Sequence, residues 1–204
     1  MKTQITYSEL MKMDQRKRAH LVNSVGGFKS VCLIGTINNQ GQTNLAIFSS
    51  IVHIGANPPL ISFIMRPDSV ERHTLSNILE TGFYTINHIN TNIFKQAHQT
   101  SARYPMDISE FDAVGLTCAY KSDFKAPFVK ESNIQLAIEF KQRVDLTINN
   151  TIMIIGEINE IHYPTECLNE DGYLDIEKAG TISSTGLDSY HASNKLGRLD
   201  YAKP

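Results

Sequence analysis

Three short segments carry the residues best suited to chemistry: Thr43-Asn44-Leu45-Ala46-Ile47-Phe48-Ser49-Ser50, Arg66-Pro67-Asp68-Ser69 and His73-Thr74-Leu75-Ser76-Asn77. Together they offer backbone amides, hydroxyls, one guanidinium and a helix start, the equipment needed to hold a phosphorylated ring system that also forms hydrogen bonds. Arg66 directly follows the apolar run Leu60-Ile61-Ser62-Phe63-Ile64-Met65, so a guanidinium able to fork two phosphate oxygens sits on a rigid element. Thr74 stands at the expected start of a helix over 75–80, where unpaired amides and the helix dipole favour an anion. A threonine there also serves as an ordinary N-cap, and both roles can hold at once. Ser69, His73 and Asn77 surround the same turn and carry further hydrogen-bonding groups. In the 43–50 run side chains alternate in direction and Ala46 is small, so backbone can approach a planar ligand. The amides of Ala46 and Phe48, with the hydroxyls of Ser49 and Ser50, could reach a ring edge and a polyol chain. Alone, this run reads as an edge strand with a Ser-rich turn; the Arg66 segment is what favours a ligand.

The elements that must position these residues are mostly strands. Val31-Cys32-Leu33-Ile34-Gly35-Thr36 reads as a buried strand, and Asn38-Asn39-Gln40-Gly41 supplies turn residues for a hairpin into a returning strand, Thr43–Phe48. Asn57-Pro58-Pro59 interrupts regular structure before the apolar run 60–65. Leu75, Ile78 and Leu79 have helical spacing and Thr81-Gly82 ends it. Strands are expected over 83–89, over 134–141, where Ile134, Leu136, Ile138 and Phe140 alternate with polar residues, and over the isoleucine-rich 151–161. Before all of these, Ser8 precedes an apolar periodicity that predicts one N-terminal helix ending near Gly26-Gly27. Short strands, turn chemistry and few helices predict a mainly β antiparallel barrel rather than a doubly wound sheet. The 104–130 stretch, with Pro105, Gly115 and Pro127, is weakly periodic. It is either a lid or subunit-crossing arm, or a surface loop with a short strand over 116–120.

Composition narrows the function classes. The chain has 204 residues, 41% hydrophobic and 20% charged, with a formal net charge of −2. One core is expected, and no clustered basic excess invites nucleic acid. The group Arg16-Lys17-Arg18 reads as the solvated face of a helix. No apolar run approaches the ~20 residues of a membrane span, and Met1-Lys2-Thr3-Gln4-Ile5-Thr6 lacks the apolar core of a secretory signal, so a cytoplasmic location is expected. Cys32, Cys118 and Cys167 are far apart and form no Cys-x-x-Cys pair, which argues against a disulfide framework or a zinc site.

In order and spacing the chain resembles the flavin reductase-like family of FMN-binding split barrels. The resemblance rests on Asn44-Leu45-Ala46-Ile47-Phe48-Ser49, Arg66, His73-Thr74 and Asn77-Ile78-Leu79-Glu80-Thr81-Gly82-Phe83. Ser101-Ala102-Arg103-Tyr104-Pro105, Glu110-Phe111, Gly115-Leu116-Thr117, and the tail Tyr190-His191, Leu196-Gly197-Arg198-Leu199 and Tyr201 extend it. Three departures concern the subgroup and substrate more than the cofactor. Ile47 stands where many relatives have proline, Gly26-Gly27-Phe28-Lys29 replaces a Pro-Arg-Pro-like segment, and His73 replaces a more usual Lys or Asp.

The resemblance implies a six-stranded antiparallel Greek-key split barrel over 27–204, with residues 1–26 as a helical segment packed on it. It implies FMN in a groove near Asn44 and Arg66, and a homodimer whose interface borders the flavin. The expected flavin contacts are Asn44, Leu45, Ala46, Phe48, Ser49, Ser50, Arg66, Ser69, His73, Thr74 and Asn77. The activity it implies is an oxidoreductase passing hydride from NADH or NADPH through flavin to a small-molecule or protein acceptor. Such chemistry asks the protein for placement and electrostatics, consistent with no convincing Ser/His/Asp or Cys/His constellation. An FMN electron carrier reduced by a protein partner, and a non-catalytic barrel binding haem or a pyridoxal-type phosphate, are the alternatives.

Overall fold

A computed structural model describes residues 1–67 and 69–203. Asp68, placed beside Arg66 in the sequence, lies outside the described residues. The chain opens with two helices, α1 (Tyr7–Lys12) and α2 (Gln15–Val25), where the periodicity predicts one. The division is made by capping. Thr6 and Glu9 form a reciprocal box in which the Glu9 carboxylate accepts the Thr6 amide at 2.7 Å. Asp14 Oδ1 then accepts the amides of Arg16 and Lys17 at 3.0 and 3.1 Å, starting a second helix. Arg18 donates to the carbonyls of Leu10, Met11 and Met13, so one member of the basic stretch closes the end of α1 instead of facing solvent. Neither helix buries a residue.

The rest of the chain builds β1 (Lys29–Ser30), β2 (Cys32–Ile37), β3 (Thr43–Phe48), β4 (Ile51–Ala56), β5 (Pro59–Met65), α3 (His73–Thr81), β6 (Phe83–His88), α4 (Phe94–Gln99) and α5 (Glu110–Val114). Then come β7 (Cys118–Ala119), β8 (Phe128–Val129), β9 (Gln135–Leu146), β10 (Thr151–His162), β11 (Ile182–Thr185) and β12 (Ser189–Ala192). The main sheet is antiparallel with order β3-β2-β6-β9-β10-β5-β4, so the expectation of six strands is corrected to seven. The extra strand is β4, whose Val52, His53 and Ile54 are all exposed. No half-buried alternation marks it in the sequence.

The two edge strands, β3 and β4, are consecutive in the chain, separated only by Ser49 and Ser50. A link of that length spans at most about 10 Å. The opposite edges of the sheet must therefore curl toward one another, and they do so without closing a ladder between them. This is an open barrel with a seam. Its interior holds Cys32, Ile34, Phe63, Tyr84, Ile86, Ile138 and Ile154, with Phe48 on Phe63 and Phe63 on Tyr84 in edge-on contacts at 4.8 and 5.7 Å. Leu33 and Leu45 point the other way, into a second cluster with Ile93, Ala97 and Phe111 from the helical regions. Strand β2 is thus buried on both faces, which explains its nearly continuous apolar sequence.

The 104–130 stretch carries three short elements between turns. It contains α5, β7 and β8, and its only strand within 116–120 is the two-residue β7. It is fastened to the barrel where the Thr85 hydroxyl donates to the Pro127 carbonyl at 2.6 Å and the Val129 amide to Asn87 Oδ1 at 3.0 Å. Among the described residues no helix is long and apolar enough to cross a membrane.

One strand-end residue gives the fold a pH dependence. His88, with Nδ1 3.1 Å from Thr181 Oγ1, is pushed down by burial to about 4. The unfolded chain takes up this proton near pH 6.5 and the folded chain refuses it until about pH 4. The contribution is therefore complete above pH 6.5 and is lost as pH falls through that window, with a ceiling of about 3 kcal/mol. Glu110, which burial pushes up, carries the opposite sign. The comparison with His88→Gln isolates the histidine: denaturation midpoints of the two proteins should diverge between pH 7 and 4.5, with the wild type falling more steeply.

Candidate functional site

The site forms where the start of β3, the end of β5 and the start of α3 meet. Asn44 is buried and donates from Nδ2 to the buried Thr74 hydroxyl at 3.0 Å, joining β3 to α3. Ser50 donates to the Ile64 carbonyl at 2.9 Å and accepts the Ile64 amide at 3.1 Å, joining the seam to β5 two residues before Arg66. The guanidinium of Arg72 donates to the Pro67 carbonyl at 3.2 and 3.3 Å, holding the chain after Arg66 next to the residue that begins α3. Three separate hydrogen-bonded ties thus bring the three segments together.

The start of α3 differs from the expectation. Arg72 is its N-cap, without a side-chain cap, and Thr74 is already the second helical residue. The first helical hydrogen bond runs from the Ser76 amide to the Arg72 carbonyl at 3.0 Å. The amides of His73, Thr74 and Leu75 therefore remain outside the helical ladder. Thr74 Oγ1 is occupied by Asn44, so its role is a tie between elements instead of a cap.

Arg66 is exposed and forms no ion pair with the described residues, and Ser69 is exposed nearby in the chain. His73 is half-buried and lines a small cavity with Asn38, Gln42, Thr43, Asn44, Asn77, Met106 and Ile108. At about 10 Å³ the cavity is near the lower limit for one water molecule. Asn77 donates to the buried Thr36 hydroxyl at 3.1 Å, which turns it toward the barrel and makes it part of the scaffold. Phe48 packs on Phe63, Ser49 is half-buried, and Ser50 has committed its hydroxyl to Ile64. A more open cleft of about 910 Å³ lies elsewhere, bordered by Lys121, Gln135, His162 and Tyr163. None of the eleven residues expected from the sequence lines it.

Two contacts escape the sequence reading. The Leu45 amide donates to Glu110 Oε2 at 2.8 Å, and Thr43 Oγ1 lies 2.7 Å from Ser109 Oγ. Glu110 is buried, and burial pushes its carboxyl upward against the lowering effect of the Leu45 hydrogen bond. An acidic residue at a helix start reads as ordinary complementarity to the dipole. No spacing signal connects it to a strand so far away in sequence.

Comparison with known proteins agrees with this architecture. Residues 28–179 match the family model described as flavin reductase like domain. A split-barrel protein of Shewanella frigidimarina NCIMB 400, assigned as a flavin reductase, is 48% identical and superposes with a TM-score of 0.95, covering 98% of this chain and 100% of that one. Nitrilotriacetate monooxygenase component B from Bacillus cereus has 22% identity and a TM-score of 0.84, with 98% and 99% coverage. Flavoredoxin of Desulfovibrio vulgaris (Miyazaki F) has 20% identity and a TM-score of 0.74, with 86% and 92% coverage. The last two likenesses are of fold alone. With three quarters of its length inside the family match and a closely superposing relative nearly half identical to it, the chain belongs to the flavin reductase like domain family.

Proposed function

We infer that this protein binds FMN between β3, the end of β5 and the start of α3, and passes electrons from NADH or NADPH through it to an acceptor. The observation that carries the reading is the pairing of a nine-residue helix without a side-chain cap with an exposed arginine that has no ion-pair partner among the described residues. Uncommitted amides at the start of α3 and the charge of Arg66 suit a phosphate, which the dipole also favours. Ser69 and His73 stand beside them in the chain. The buried Asn44–Thr74 hydrogen bond ties β3 to α3, and the partly buried Ser50–Ile64 bonds tie the seam to β5, which preorganises the region. Bound flavin would supply the hydride and electron chemistry. The protein's part is to hold the phosphate and ring, leave one ring face open to the donor, and exclude water on the other.

A homodimer belongs to the same reading. Its support is the exposed apolar side chains of Tyr7, Met11, Val25 and Phe28 toward one end of the chain and Leu196, Leu199 and Tyr201 toward the other. Sedimentation velocity separates monomer from dimer directly.

The reading is tested by the visible spectrum after FMN loading and desalting, followed by anaerobic NADH or NADPH. Retained flavin that bleaches with either donor is the expected result. Retained flavin that ignores both would point to a carrier reduced by a protein partner. A haem-type absorption band, or no flavin uptake together with no turnover of free FMN, would overturn the reading.

A further inference from the structure

The free edge of β3 can be assigned amide by amide. In an antiparallel ladder, pairs that exchange hydrogen bonds alternate with pairs that do not. The Leu45 amide turns away from β2 to reach Glu110, so the pair Leu45–Gly35 is of the second kind, as is Ile47–Leu33 two residues on. The amides of Asn44, Ala46 and Phe48 face β2 and are spent on the ladder. That corrects the expectation that Ala46 and Phe48 present amides to a ligand. Leu45 and Ile47 are the residues whose amides and carbonyls face outward.

Glu110 occupies the Leu45 amide as a neighbouring strand would. The Ile47 amide has no acceptor among the described residues, although Ile47 is half-buried and its side chain packs against the outer core cluster. A backbone donor held rigidly in a partly covered place and left unpaired is costly unless a ligand or water takes it. Its own carbonyl faces the same side, so Ile47 offers one donor and one acceptor. The imide of a flavin pyrimidine ring, with a carbonyl next to an N–H, is the complementary pattern.

We propose that Ile47 is the backbone contact for the imide edge of the flavin, and that Glu110 is a positioning residue that aims it by pinning Leu45 two residues away. The assignment rests on the flavin reading above. It gives this chain a donor at a position where proline could supply none.

The test is hydrogen exchange of individual amides in ¹⁵N-labelled protein, with and without FMN. Without FMN, Leu45 should exchange slowly and Ile47 fast. Saturating FMN should slow Ile47 at least tenfold. Ile47→Pro removes the N–H from an outward-facing edge position, where proline is tolerated, and should bind FMN about tenfold more weakly, whereas Ile47→Val should bind as the wild type does. Glu110→Ala should speed Leu45 exchange and weaken FMN binding, with Glu110→Gln, which keeps an acceptor, restoring both. If FMN saturates the protein while Ile47 still exchanges fast, or if the proline variant binds normally, the assignment is wrong and the flavin reading survives. If FMN does not bind the wild type at all, the flavin reading itself fails and this assignment falls with it.

Discussion

Arg66→Ala should weaken FMN binding by about 1.5–3 kcal/mol, roughly 10- to 150-fold, while the apo protein melts where the wild type does. The two halves of that expectation have separate causes. Arg66 is exposed and has no ion-pair partner among the described residues, so the folded state gains little from its charge. A phosphate, by contrast, would meet it as a charge-assisted contact, next to helix amides that no side chain has claimed. Arg72→Ala is the informative companion. It removes the two hydrogen bonds to the Pro67 carbonyl and loosens the segment that carries Arg66 without removing the binding charge. Fluorescence titration of FMN measures both. Wild-type affinity in Arg66→Ala would take that residue out of the site.

Gly35→Ala should be among the most destabilising single-methyl changes in the chain, by about 3 kcal/mol or more. A Cβ at Gly35 would fall within contact distance of the Pro127 carbonyl oxygen and the Thr85 hydroxyl, which are themselves hydrogen-bonded to each other. Neither can retreat easily. Pro127 is buried backbone, and Thr85 sits in β6 at zero exposure. In a domain of this size the loss corresponds to a fall in melting temperature of roughly 10 °C, readable by calorimetry. A melting temperature within a degree or two of wild type would show that the 126–129 segment yields readily, and that its fastening to the barrel is weaker than the buried hydrogen bonds indicate.

The sequence made some of this legible and hid the rest for physical reasons. β2, β3, β5, β6, β10 and α3 show in the sequence because each has an uninterrupted apolar run or a clear period with turn residues at its ends. Gly82, in the left-handed conformation at φ 78°, ends α3 where the Thr81-Gly82 signal places it. β4 carries exposed isoleucine and valine and is held by pairing with β5, so its strand character lies in the partner. Likewise, Asn44, Thr74 and Asn77 are visible as polar residues in promising places, but Asn44 bonds to Thr74 and Asn77 to Thr36 of β2. Glu110 shows the limit most clearly: its meaning depends on a strand edge that exists only once α5 has packed against β3.

The seam between β3 and β4 also bears on how the chain assembles. The most widely separated strands of the sheet are neighbours in sequence, so bringing the two edges together costs almost no loop entropy. The expensive closures lie further in, where β6 must find β9 across the whole 89–134 interval, with Tyr84 opposite Ile138, and β5 must find β10 across 66–150, with Met65 opposite Ile152. Folding rate should therefore be governed by the middle of the sheet, and the rim that would cradle a ligand can reach its final shape as a short-range, late event.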